Sequence, residues 1–266
     1  MSMNRRAKAL VLFFTVTVLT QAHEFWLQPD RFLYKKGEIM KLDFMVGEGF
    51  IGERWDLKKH RLIRFDHHAG NYSKGLIEDI VPEAGSNLEV KLEREGTHLF
   101  VMQSNNAFIE LDAEKFNAYL KEDGLEDILE YRVKTNTQNK RAREYYQRSA
   151  KLLVQAGSTT DETSGKQAGT PIEIVPLKNP YALKPGAEMQ FRVVFEGKPL
   201  AFTLVKVWNR KDNRTTVQNI YTEKDGTLTT RLSNTGMWMV SCVKMVPAKE
   251  EGADWQSYWG SLVFGF

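Results

Sequence analysis

The 266-residue sequence contains a single cysteine, Cys242, which excludes any disulfide within the chain. Residues 237–243 around it are mostly apolar, so a buried, inert thiol is expected there, not a nucleophile or a ligand. Catalytic signatures are missing too: there is no Gly-x-Ser-x-Gly elbow, no phosphate-cradling glycine loop ending in Lys-Ser/Thr, no His-Glu-x-x-His and no Cys-x-x-Cys. No pair of carboxylates stands out by its spacing. These absences favour a protein that is not an enzyme. Long hydrophobic runs are also scarce. The longest, residues 9–20, is too short for a membrane-crossing helix, which needs about 20 residues.

That run follows Arg5, Arg6 and Lys8 and precedes Thr20-Gln21-Ala22, the three-part pattern of a secretory signal over residues 1–22. Cleavage after Ala22 would send a soluble protein to the periplasm. It would also remove three of the 37 Lys and Arg and none of the 34 Asp and Glu, so the two signs become equal. The basic pI near 8.8 therefore belongs to the leader, and nucleic acid is not an expected partner.

What remains reads as mainly β, in two β-sandwich-like domains. Residues 23–156 form the first. Alternating or apolar segments at 41–46, 62–65, 77–81, 88–92 and 98–103, broken by turn residues, predict its strands. A helical segment follows over about 112–155. Asp112 and Gly124 bracket one helix, 125–133 suggests a second, and Ala142, Tyr146, Ala150 and Leu153 share a face of a third over 140–155. The basic residues of this last helix, Arg148 and Lys151 among them, read as a solvated surface. Residues 157–170 carry no large apolar side chain and read as a linker. Residues 171–266 then have the length and strand spacing of an immunoglobulin-like sandwich.

Chemistry centres on histidine. A mature chain starting at His23 presents an α-amino nitrogen and imidazole Nδ1 to one metal ion, and nitrogen ligands suit nickel, cobalt, copper or zinc. The α-amino pKa of about 7.7–8.0 makes its deprotonation cheap near neutrality. His67 and His68 are the next candidates; in a strand the two would face opposite ways. His60 and His98 rank lower, with a structural role the default for His98. Aromatic residues such as Trp26, Trp255, Tyr258 and Trp259 read as packing, with a sugar-binding platform as the alternative.

The chain resembles the DUF4198 family of exported bacterial proteins. The resemblance rests on Ala22-His23-Glu24-Phe25-Trp26-Leu27, Val46-Gly47-Glu48-Gly49-Phe50, Phe116-Asn117-Ala118-Tyr119-Leu120, Arg143-Glu144-Tyr145-Tyr146, Asn179-Pro180-Tyr181, Gly197-Lys198-Pro199-Leu200, Gly236-Met237-Trp238 and Asp254-Trp255-Gln256-Ser257. It implies a periplasmic component related to nickel or cobalt uptake, working beside an inner-membrane transporter, with His23 as a ligand. Relatives are expected to carry histidine where this chain has Glu48 and near Lys244; Glu48 can still ligate, whereas a protonated Lys244 cannot. The expected metal set is His23, His67, His68 and Glu48. Two other readings remain, a β-sandwich interaction module for protein or glycan and a copper-dependent polysaccharide oxidase.

Overall fold

The computed structural model describes residues 24–82, 85–184, 186–232 and 235–266. The signal segment and His23 therefore lie outside the described residues. The first strands are β1 (Glu24–Pro29), β2 (Leu33–Tyr34), β3 (Ile39–Glu48), β4 (Ile51–Arg54), β5 (Leu62–Ala69), β6 (Tyr72–Gly75), β7 (Leu88–Lys91), β8 (Gly96–Ser104) and β9 (Ala107–Leu111). Two helices, α1 (Ala113–Glu122) and α2 (Glu126–Lys134), precede β10 (Ala142–Ala156). The chain continues with β11 (Ile172–Pro176), β12 (Glu188–Phe195), β13 (Lys198–Pro199), β14 (Leu204–Lys211), β15 (Arg214–Tyr221), β16 (Thr227–Arg231), β17 (Met237–Pro247) and β18 (Trp255–Gly265). No helix among the described residues is long and apolar enough to cross a membrane.

The strands make three sheets in a sandwich-like stack. The central one runs β15-β14-β17-β18-β10-β8-β5-β6, with β2 and β9 also paired to β10. An outer sheet of β1, β3, β4 and β7 covers one face, and a second of β11, β12, β13 and β16 covers the other. Side-chain alternation shows the layering. Along β8, Phe100 and Met102 pack with Phe25, Leu27 and Phe44 of the first outer sheet, while Leu99 and Val101 pack with Ile174, Phe191 and Val193 of the second. On β18, Val263 joins the first cluster and Leu262 and Phe264 the second. Strands buried on both faces need apolar residues at nearly every position, which is what the runs 99–102 and 152–154 provide.

This double burial corrects the third helix. Residues 140–155 form β10, whose parallel register with β18 runs from Glu144↔Trp255 to Leu152↔Val263. Leu152 and Val154 serve one core and Leu153 the other, so a two-sided strand produced apolar spacings that also fit a helix. Arg143 is exposed, but Arg148 and Lys151 are not on a solvated surface. Lys151 is 1% exposed and donates to Glu173 Oε2 at 3.1 Å. Arg148 stacks over Phe25, Trp55 and Tyr146 with its guanidinium carbon 5.0–5.7 Å from the ring centres. The other two helices form close to the expected positions, and Phe116, Tyr119 and Leu120 pack them onto Val243, Met245 and Trp255. Residues 77–81 form turns in place of the expected strand.

Strands on either side of residues 157–170 lie side by side in the central sheet, because β10 pairs with β18. The segment itself is pinned to its neighbours. Gly157 N donates to Tyr34 O, Thr163 Oγ1 accepts from Gly70 N, and Asp161 Oδ2 accepts from Thr97 N. Backbone N–H groups of Ala168, Gly169 and Thr170 all donate to the Glu173 carboxylate. A polar, glycine-rich stretch can thus be ordered by hydrogen bonds alone.

Gly47 faces Gly52 across β3 and β4. A Cβ at Gly47 would sit 2.2 Å from Ile51 O and 2.5 Å from Gly52 Cα, both backbone atoms with nowhere to move. Gly47→Ala is therefore expected to force the two strands apart and cost on the order of 2–4 kcal/mol, read as a lower urea midpoint.

Candidate metal centre

The antiparallel pairing of β5 with β8 sets His67 opposite Phe100. Their rings stack with centroids 4.4 Å apart and planes 7° apart. His98 lies on the same face of β8, two residues before Phe100, and its Nδ1 is 2.7 Å from His67 Nε2. Its other nitrogen, Nε2, lies 2.9 Å from Arg94 O. A carbonyl only accepts, so His98 Nε2 carries a proton and Nδ1 presents a lone pair. His67 Nε2–H donates to that lone pair. Both rings are neutral: burial lowers His67 to about 3 and also lowers His98. The pair forms one wall of a cavity of about 490 Å³, whose other walls include Tyr72, Lys74, Asp79 and Arg94. Lys74 is held by Asp79 at 2.7 Å, and Arg94 stacks on Tyr72.

The remaining candidates fall elsewhere. His68 points to the opposite side of β5, as alternation requires. Both its ring nitrogens are buried without a hydrogen-bond partner among the described residues, and burial, with Lys166 next, lowers its pKa. Glu48 ends β3 exposed and borders a different groove with Trp208 and Thr215. His60 is exposed on a short turn of 3₁₀-helix. Lys244 stands 3.4 Å from Asp127 Oδ2. Among the described residues no group of three or more His, Cys, Asp or Glu converges as a metal cage. The structure thus brings His67 to His98 and leaves His68 and Glu48 apart. Cys242 is buried, and burial pushes its thiol up to about 12, as befits an inert core residue.

A second polar cluster is not singled out by the sequence, although Glu24 lies within one of the motifs that carry the family resemblance. Lys206 on β14 donates to Asp123 Oδ1 at 2.7 Å and stands 3.8 Å from Glu24 Oε1. Burial pushes Glu24 up to about 7 and Asp123 up to about 6, against the pull of Lys206. A cavity of about 20 Å³ beside them, room for a single water, is lined by Phe25, Ser241 and Trp259. Further along β10, Glu144 accepts from Ser257 Oγ and from Tyr119 OH, while its Oε2 is buried with no partner among the described residues. Burial raises this carboxyl to about 7.

The chain is a member of the DUF4198 family, a domain of unknown function, whose model matches residues 20–245. None of the curated proteins matches it. Among solved structures it is similar to the three N-terminal domains of the highly immunogenic outer capsid protein (Hoc) of bacteriophage RB49. That likeness has 7% identity and a TM-score of 0.21, covering 90% of this chain and 70% of the other.

Proposed function

We propose that this is an exported, non-enzymatic periplasmic protein that binds a transition-metal ion at His67 and His98 and supports metal uptake through an inner-membrane transporter. The observation that carries the reading is the 2.7 Å approach of His67 Nε2 to His98 Nδ1, with His98 fixed by Arg94 O. A backbone carbonyl on the far nitrogen is the usual way a ligating imidazole is oriented. To present a second lone pair, His67 moves its proton from Nε2 to Nδ1, a change of tautomer that keeps the ring neutral. Two nitrogens bound cis at about 90° with bonds of about 2.0–2.1 Å stand about 2.9 Å apart, against about 3.3 Å in a tetrahedron. The 2.7 Å separation is that of the hydrogen bond, so the two rings part by a few tenths of an ångström to admit an ion of either geometry. Two protein ligands hold an ion loosely, which suits cargo that must be passed on.

Calorimetric titration of the mature protein, its N-terminus verified by mass spectrometry, should show one Ni²⁺ or Cu²⁺ site. His98→Ala and His67→Ala should each weaken it by about tenfold or more, with His68→Ala leaving it unchanged. Equal binding by the His67/His98 double variant would move the site away from this pair. Loss confined to His23→Ala would assign it to the N-terminal chelate.

A further inference from the structure

We propose a second binding site, for a neutral oligosaccharide, in the cleft between the central sheet and the sheet that carries β12. The cleft has a volume of about 840 Å³, within the range of about 300–1,000 Å³ usual for small-ligand sites. Its floor is a row of glutamines on three strands, Gln103 of β8, Gln147 of β10 and Gln256 of β18. Gln103 Nε2 donates to Gln147 Oε1 at 3.3 Å, and Gln256 Nε2 donates to Ser257 O at 3.1 Å. Among the described residues, Gln103 Oε1, Gln147 Nε2 and Gln256 Oε1 have no protein partner. Acceptors and a donor thus stand side by side on a rigid sheet, the mixture that sugar hydroxyls require.

Phe195 and Tyr258 form an apolar wall, half-buried, with ring centroids 5.2 Å apart and planes at 60°. Such rings suit the C–H face of a pyranose. Glu173 borders the cleft but is held by Lys151 and by three backbone N–H groups, so the floor itself presents glutamines; Glu196, Lys249 and Glu250 also line the cleft, exposed and of both signs, so no single charge dominates it. The floor strands β10 and β18 are already paired at this level, Gln147 opposite Tyr258, so no open strand edge is available there for a peptide to extend. This site is independent of His67 and His98, which line a different cavity.

The test is NMR titration of the full mature protein, with chelator present, by maltohexaose, cellohexaose and chitohexaose, with hexagalacturonate as the acidic control. At least one neutral hexasaccharide should shift the side-chain amide signals of Gln103 and Gln147. Gln147→Ala and Tyr258→Ala should each weaken that binding about five- to tenfold, the worth of one hydrogen bond or one ring face. Tyr258 is partly exposed, so its variant keeps the test open if Gln147→Ala folds poorly. Absence of shifts with all three neutral sugars at millimolar concentration, or shifts only with the acidic control, overturns the proposal. Shifts that persist unchanged in Tyr258→Ala overturn it as well.

Discussion

Glu144→Gln is expected to remove a large share of the loss of stability that the protein suffers as pH rises from about 4.5 to about 7. The folded state holds a proton on Glu144 up to about 7, whereas the unfolded chain releases it near 4.5. The folded protein therefore binds more protons in that window, and raising the pH favours unfolding. A difference of 2.5 pH units corresponds to about 3 kcal/mol, fully lost above pH 7. The cause is burial: one carboxylate oxygen is enclosed with no partner among the described residues, and the donors Ser257 and Tyr119 on the other oxygen offset this only in part. Glutamine keeps the accepting oxygen and never ionises. Urea midpoints at pH 5 and pH 8 should differ less in the variant, by up to the equivalent of about 3 kcal/mol. Glu24 and Asp123, also raised by burial, keep part of the slope in both proteins. An identical slope in the variant would mean that Glu144 does not titrate in this range.

Glu173→Ala should be the more damaging change at neutral pH, lowering stability by about 3–5 kcal/mol. It strands Lys151, which is 1% exposed and would retain only Lys166 O as an acceptor at 3.0 Å. It also frees the three N–H groups of Ala168, Gly169 and Thr170 that hold the 157–170 segment on the sheet. Lys151→Met should cost less, about 1–2 kcal/mol, because Glu173 keeps those three donors and a methionine fills the space. Burial opposes the Glu173 anion, but Lys151 and the backbone donors hold its pKa below the usual range. Equal urea midpoints for the two variants would show that the backbone donors do not stabilise the carboxylate.

The residues behind the family resemblance turn out to be largely architectural. Arg143 is bound to Asp254 at 2.9 Å and joins β10 to the start of β18. Asn179 ties Thr97 and Asp161 together, and the Tyr181 hydroxyl donates to Leu153 O. Gly47 fits only because Gly52 faces it. Such motifs identify the family through its fold, while giving little information about activity. That is why the chain could be placed in DUF4198 from its sequence although the candidate metal pair could not be chosen.

The sequence alone determined the β-rich class, the two short helices, the buried cysteine and the family. Those depend on local periodicity, turn residues and short motifs, all carried by neighbours in the chain. Only the tertiary structure decided that residues 142–156 are a strand, since a strand buried on both faces loses the alternation by which strands are recognised. It also decided which histidine has a partner. His67 meets His98 across 31 residues because β5 and β8 pair in one particular register, and a shift of one residue would have offered His68 in its place.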